Sequence, residues 1–169
     1  SLDRRQRQMC IRDRAATNKI SGTHNVLFGD IDGHFPNHHP NPVDPETLAI
    51  LRQSVAKAEA DLGIGFDGDG DRIGIVDAKG RQVSGDFLTA FLAQDILKRH
   101  PGTPIILDVK SSDMAIDLIR DAGGNAQIWK TGHSHMKTRM RVMKAPLAGE
   151  MSGHVLSLIH ISEPTRPID

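Results

Sequence analysis

Three aspartates at alternate positions carry the most chemistry in this chain. They lie in the run Gly65-Phe66-Asp67-Gly68-Asp69-Gly70-Asp71-Arg72, with glycine between them. A backbone so rich in glycine can curl and turn all three carboxylates toward one point. Three like charges held that close repel unless a cation sits among them. A hard divalent ion with oxygen ligands meets that need, and Mg²⁺ keeps coordination positions open for phosphate oxygens. Arg72 adds a guanidinium fork suited to phosphate. Two other readings stand beside this one. The run is also what a solvated Gly/Asp turn looks like. An EF-hand loop would use Asp67, Asp69 and Asp71 as its first three ligands, but Arg72 stands where that loop needs its Gly and Ala78 where it needs its Glu.

A second set of residues gathers at the ends of expected strands: Lys110, then Lys130-Thr131-Gly132-His133, then Glu150-Met151-Ser152-Gly153-His154. Taken singly, Lys110 is a solvated strand end, His133 a helix-start residue and Glu150 a surface carboxylate. Together they would make a cationic, hydroxylated, imidazole-bearing rim suited to a phosphorylated polyol. In a locally extended loop, Glu150, Ser152 and His154 face one way while Met151 turns back. His38 and His39 are adjacent and would point oppositely on an extended chain, which favours a polar, interface-forming loop over a metal pair.

The elements that must position these groups follow from the pattern of the chain. Val26-Leu27-Phe28 reads as a short strand. Prolines at 36, 40 and 42 exclude helix there. Asp44-Pro45 is a helix start, with Leu48, Leu51, Val55, Ala58 and Leu62 on its apolar face and Gly63 as its stop. Strands over 62–66 and 73–76 flank the aspartate loop. A turn at 77–80 leads into a third strand over 81–83. Ser84-Gly85-Asp86 opens a helix over 87–98 with apolar Leu88, Phe91, Leu92 and Ile96. The order then becomes regular: strand 104–109, helix 114–121 capped by Ser112-Asp113, strand 126–129, helix to 143 capped by Ser134, strand 146–148. Such alternation predicts parallel strands with right-handed crossovers. Their carboxyl ends, where open α/β sheets bind ligands, carry the second set of residues.

Composition sets the outer bounds. The chain has 169 residues, with 21 Lys plus Arg against 21 Asp plus Glu, so nothing global argues for nucleic acid or an anionic membrane. No apolar run reaches the roughly 18 residues of a membrane span. A single cysteine, Cys10, excludes an internal disulfide and fits a reducing, cytoplasmic setting. The Arg-rich start has no apolar core and is not a secretory signal. Residues 1–14 and 156–169 are out of character with what lies between. Both resemble translated adapter read-through around a short gene fragment, and are expected to be artefactual or disordered tails.

The motifs now assembled resemble the α-D-phosphohexomutases, the bacterial phosphomannomutase/phosphoglucomutase branch. The resemblance is carried by Asp32-Gly33-His34-Phe35-Pro36-Asn37-His38-His39-Pro40-Asn41-Pro42, residues 65–72, Asp108-Val109-Lys110, Lys130-Thr131-Gly132-His133-Ser134-His135 and Gly149-Glu150-Met151-Ser152-Gly153-His154, in family order across about residues 26–155. Met151 favours the mannose/glucose branch over the glucosamine mutases, which typically have Gln there. The resemblance implies an α/β fold of two small three-layer α/β/α domains, both truncated: the end of domain II over 15–83 and domain III over 84–155. It implies Mg²⁺ on Asp67, Asp69 and Asp71, with Arg72 beside the transferring phosphate. It implies sugar-hydroxyl contacts from Glu150 and Ser152, and substrate contacts from Lys110, Lys130, His133 and His154, with His154 as general acid/base and Lys110 counted with Arg72 in catalysis. His135 and Lys137 are weaker candidates for the same rim. The implied substrates are hexose 1- and 6-phosphates, exchanged through a phosphoserine and a bisphosphorylated sugar. The Thr-Ala-Ser-His-Asn-Pro loop that carries that serine is not in this sequence; Ser21-Gly22-Thr23-His24-Asn25 is faintly similar, misplaced and without the Pro. Domains I and IV are missing too, so the expectation is an inactive fragment of a mutase. The alternative is a stand-alone metal- or sugar-phosphate-binding module.

Overall fold

The computed structural model describes residues 19–29, 32 and 34–158. The expected tail over 1–14 lies outside the described residues, as do positions 159–169. The chain divides into two compact units, Ser1–Gln82 and Val83–Asp169.

In the first unit, helix α1 (Ala49–Lys57) precedes a sheet ordered β1 (Leu62–Phe66), β2 (Ile73–Asp77), β3 (Gln82–Val83). β1 and β2 form an antiparallel hairpin with Ile64 opposite Ile75 and Phe66 opposite Ile73, as the two apolar runs around the aspartates predict. α1 covers one face of this sheet, burying Leu48 and Val55 against Val76. The other face of β1 stays open: Leu62, Ile64 and Phe66 are each two-fifths exposed or more.

Both ends of α1 differ from expectation. The Asp44 side chain does accept from the Glu46 amide at 3.0 Å, but residues 45–48 form turns and the helix begins at Ala49. The Thr47 hydroxyl reaches back to the carbonyls of Asn41 and Asp44, holding the chain in those turns first. Gly63 does not stop the helix. Glu59 takes the left-handed conformation at φ 48°, and the Ala60 and Glu59 amides donate to the Val55 and Ala56 carbonyls. That is a Schellman closure, usually made with glycine. Ala58 and Leu62 are therefore exposed, and Leu62 belongs to β1. Val26, Leu27 and Phe28 form no strand; Phe28 sits at φ 52°, outside the extended region.

The second unit has three layers. Its sheet runs β5 (Asn125–Trp129), β4 (Pro104–Asp108), β6 (Leu147–Gly149), β7 (Val155–Ser157). β4 is parallel to both β5 and β6, as the alternating pattern predicts, and β7 is antiparallel to β6. Helices α2 (Gly85–Arg99) and α3 (Asp113–Asp121) cover one face, packing Ala90, Ala93, Leu97, Ile116 and Ile119 on Ile105 and Leu107. Helix α4 (His133–Met143) covers the other, packing Met136 and Met140 on Ile106 and Ala148. Alternate residues of β4 thus feed the two cores, the period-two signature of a strand buried on both sides.

Three expectations are corrected here. The buried face of α2 is Thr89, Ala90, Ala93 and Leu97, whereas Phe91 is 70% and Leu92 40% exposed. Small residues face the sheet because the approach is close: a Cβ on Gly149 would fall 1.7 Å from Thr89 Oγ1. α4 is entered from Gly132 with no side-chain cap, so Ser134 lies inside it. Leu156 and Ser157, assigned to the foreign tail, are paired with Ala148 and Leu147 in β7. Ser112 caps α3 as expected, accepting from the Ala115 amide at 3.3 Å.

Candidate functional site

The aspartate loop joins β1 to β2 in the first unit. Asp67, the first residue after β1, is 3% exposed, and its carboxylate is tied down from within the loop. Oδ1 accepts from the amides of Asp71 at 3.0 Å and Arg72 at 3.3 Å, and Oδ2 accepts from Arg72 Nε at 2.9 Å. Burial pushes the Asp67 carboxyl up; the Arg72 guanidinium and the Asp71 and Arg72 hydrogen bonds outweigh it and hold the group below its ordinary range. Asp69 and Asp71 are exposed, and one oxygen from each of the three aspartates lies within 4.8 Å of the others. Gly70, at φ 73°, makes the bend that brings them round. An all-oxygen, triply anionic donor set fits a hard divalent cation such as Mg²⁺, and Asp67 Oδ2 keeps a lone pair for it beside Arg72. Asn41, part of the 32–42 motif but given no role from the sequence, accepts from Arg72 Nη1 at 3.3 Å and so steadies the guanidinium.

In the second unit the loops after β4, β5 and β6 emerge on one edge of the sheet, as expected. Lys110 and Lys130 are exposed on the first two, and His133 is exposed at the start of α4. The third loop is a turn, not an extended segment: the Gly153 amide donates to the Glu150 carbonyl at 3.0 Å, and the Glu150 amide to the His154 carbonyl at 2.9 Å. The turn still gathers the three side chains. Glu150 Oε2 lies 3.0 Å from His154 Nδ1 and accepts from Ser152 Oγ at 3.4 Å, and Ser152 Oγ is 3.0 Å from His154 Nδ1. Glu150 is 2% exposed, and its Oε1 accepts from the Gly132 amide at 2.5 Å. The His133 and His154 rings stand 5.9 Å apart, centroid to centroid. His135 is exposed and Lys137 half-buried in the first turns of α4.

Comparison with known proteins follows the same division. Residues 25–80 match phosphoglucomutase/phosphomannomutase alpha/beta/alpha domain II, and residues 84–165 match alpha/beta/alpha domain III of the same family. The chain belongs to the phosphoglucomutase/phosphomannomutase family. It is 50% identical over 129 residues to a phosphomannomutase/phosphoglucomutase of Pseudomonas putida, a match that takes in 76% of this chain and 28% of that protein. A phosphoglucomutase of Neisseria gonorrhoeae is 46% identical over the same length, again 76% of this chain and 28% of that one. Among solved structures, a phosphoglucomutase/phosphomannomutase family protein of Burkholderia thailandensis superposes with a TM-score of 0.74 at 46% identity, covering 78% of this chain and 29% of that chain. The chain thus spans under a third of the length of these phosphoglucomutase/phosphomannomutase relatives.

Two buried carboxylates, named in the sequence reading only as part of a motif (Asp108) and of a helix start (Asp86), shape the rim of the domain III unit. Asp108, 1% exposed, accepts from Ser111 Oγ at 2.9 Å, Thr131 Oγ1 at 3.2 Å and the Met151 amide at 3.4 Å. One side chain therefore ties together all three loops that follow the parallel strands. Asp86, fully buried at the start of α2, accepts from Ser84 Oγ, from the Phe87 amide at 2.9 Å, and from the Ser112 amide and hydroxyl at 2.9 and 2.8 Å. It locks the first turn of α2 to the cap of α3. An aspartate at the carboxyl end of a continuous apolar strand was the available signal for Asp108.

Proposed function

We propose that this chain is part of a phosphohexomutase that interconverts hexose 1-phosphate and 6-phosphate, mannose or glucose, through a phosphoserine and a bisphosphorylated sugar. The observation that supports it most is the convergence of Asp67, Asp69 and Asp71 with Arg72 already fixed on Asp67. Those three aspartates would hold Mg²⁺, which when bound would draw negative charge from phosphoryl oxygens. Arg72 would lie beside the phosphate being transferred. In the domain III unit, exposed Lys110, Lys130 and His133 would engage the substrate, with Lys110 acting alongside Arg72. Ser152 and Glu150 would meet sugar hydroxyls. His154 would take and return a hydroxyl proton, work suited to an imidazole. The phosphoserine and the site for the resting phosphate would come from domains I and IV of the parent protein, outside this sequence, and this chain alone would then be inactive. A cytoplasmic parent is part of this reading. A second reading, a metal- or sugar-phosphate-binding module without catalysis, needs only the convergence of Asp67, Asp69 and Asp71.

Isothermal calorimetry of the chain with MgCl₂ tests the metal site. Weak, saturable binding is expected, weakened further in Asp69→Asn because each carboxylate supplies charge. Unchanged affinity in the variant would remove Asp69 from the site. A mutase assay on glucose 1-phosphate and mannose 1-phosphate should show no turnover by the purified chain, since no phosphoryl-accepting serine is present. Restoring the chain to a full-length parent should give turnover that Asp69→Asn abolishes. A restored parent inactive on both sugars would favour the binding module.

A further inference from the structure

We infer that residues 35–42 form a strap that sets the Arg72 guanidinium from outside the aspartate loop, with Asn41 as the positioning residue. Three glycines of the β1–β2 hairpin face this segment. A Cβ on Gly74 would fall 2.0 Å from the Pro42 carbonyl oxygen, one on Gly68 2.9 Å from Phe35 Cζ and 3.4 Å from Pro40 Cγ, and one on Gly65 4.0 Å from Pro42 Cβ. Glycine within a strand marks the close approach of another backbone, and at Gly74 that backbone is Pro42. Pro42 is buried and Phe35, Pro40 and Asn41 are half-buried, while residues 36–39 between the points of contact are exposed. Prolines at 36, 40 and 42 limit the shapes the segment can take. Asn41 is also pinned through its carbonyl, which accepts from the Thr47 hydroxyl and, at 3.2 Å, from the Asp44 amide. The Val43 carbonyl accepts from Gln82 Nε2 at 2.9 Å, which ties the end of the strap to β3.

Asn41 therefore has a fixed origin from which its side chain reaches Arg72, 31 residues on. Its Oδ1 accepts from Arg72 Nη1 at 3.3 Å, while Asp67 Oδ2 accepts from Arg72 Nε at 2.9 Å. A hydrogen bond at Nε does not oppose rotation about the Nε–Cζ bond, which exchanges the two Nη groups. A second bond at Nη1 does oppose it, and fixes the plane of the fork. The guanidinium carries five N–H donors, and these two contacts use two of them. The Asp67 contact is made within the loop and moves with it. The Asn41 contact refers the fork to a segment whose Pro42 rests on both strands of the hairpin. That Arg72 meets a phosphoryl group rests on the mutase reading; its orientation does not, and it can be measured without substrate. In the proposed reaction a fork held in one plane would present its donors to phosphoryl oxygens without first having to be ordered.

The test is ¹⁵N NMR on the full 169-residue chain labelled with ¹⁵N-arginine, reading the rate at which the two Nη groups of Arg72 exchange, with Arg72→Lys to assign its signals. Exchange should be about tenfold slower than at Arg141, exposed on α4, the order set by one hydrogen bond to a charged group. Asn41→Ala should bring Arg72 to the rate of Arg141. Asn41→Asp keeps an acceptor oxygen at the same place and should keep the slow rate. Gly74→Ala, which forces Pro42 off its seat, should speed exchange as Asn41→Ala does. A wild-type chain in which Arg72 exchanges as fast as Arg141 overturns the proposal, whether or not any variant folds. So does an Asn41→Ala chain that stays slow, or an Asn41→Asp chain that becomes fast. A folded Gly74→Ala chain that stays slow overturns the role of the strap. In a restored parent mutase, Asn41→Ala should lower kcat about tenfold with little change in KM, and Asn41→Asp should recover most of the loss. An unchanged kcat in Asn41→Ala would overturn the catalytic consequence. A parent inactive even with Asn41 in place would count against the mutase reading alone, because the exchange rates are read on this chain without substrate.

Discussion

Asp86 shows how one buried charge can set the acid stability of a site. It is fully buried, and burial by itself pushes its carboxyl up. Hydrogen bonds from the Ser84 hydroxyl, from the Ser112 amide and hydroxyl and from the Phe87 amide outweigh that, so the folded-state value falls below the ordinary 3.8. A depressed folded value means the stabilisation is complete above about pH 4 and is lost as pH falls through the lower folded value. Asp86→Asn keeps the shape but offers one acceptor atom where the carboxylate offers two. At neutral pH it should cost about 2–3 kcal/mol, the range for weakening buried hydrogen bonds to a charged group. It should also flatten the loss of stability on acidification. Urea unfolding followed by the fluorescence of Trp129, the only tryptophan, at pH 7 and pH 3 measures both. A variant with the pH dependence of the wild type would show that another carboxylate is responsible.

Among the elements, the closest contact is that of α2 with β6. Gly149→Ala would place a methyl group 1.7 Å from Thr89 Oγ1 and 2.7 Å from Thr89 Cβ. The helix must move away, and a loss of about 1–3 kcal/mol or more is expected in a chemical denaturation midpoint. Thr89→Ala in the same chain should recover only part of it, since the Thr89 Cβ clash remains. Full recovery would mean that the hydroxyl alone sets the spacing. This packing also explains what could be read in advance. The strands around the aspartates and β4 were legible by their own signatures, glycine-bounded apolar runs and one continuous run, whereas β7 was hidden in what read as a tail and Val26–Phe28 makes no strand. The face of α2 was not legible, because apolarity pointed to Phe91 and Leu92, while the close approach at Gly149 selects the small Thr89, Ala90 and Ala93. The end of α1 was hidden by a Schellman closure that uses Glu59 where glycine is customary. In the candidate site, residues adjacent in sequence were legible: Asp67 to Arg72, and Glu150 with Ser152 and His154. The role of Asp108 was not, because its partners lie 23 and 43 residues away and meet only when β4, β5 and β6 pair.

On the scale of the whole molecule, the two units bury unequal cores. The first has Leu48, Val55 and Val76 under α1, while Leu62, Ile64 and Phe66 on the far side of β1 are 51%, 46% and 41% exposed. The second covers its sheet on both faces, with Ile105, Ile106 and Leu107 fully buried. Stability follows buried apolar area, so the first unit should open at lower urea. Hydrogen exchange should show the β1 and β2 amides exchanging through a lower-energy opening than those of β4. Equal protection in the two sheets would refute this. Asp108 adds an ordering in time to this contrast in strength. On a ribosome the aspartate emerges first, Thr131 later and Met151 later still, so while residues 112–130 are being made its carboxylate has only water and its near neighbour Ser111 to bind. The three contacts are complete only when β6 docks beside β4 and delivers Met151, and a nascent chain halted before that residue would carry the lysines of the rim without its full geometry.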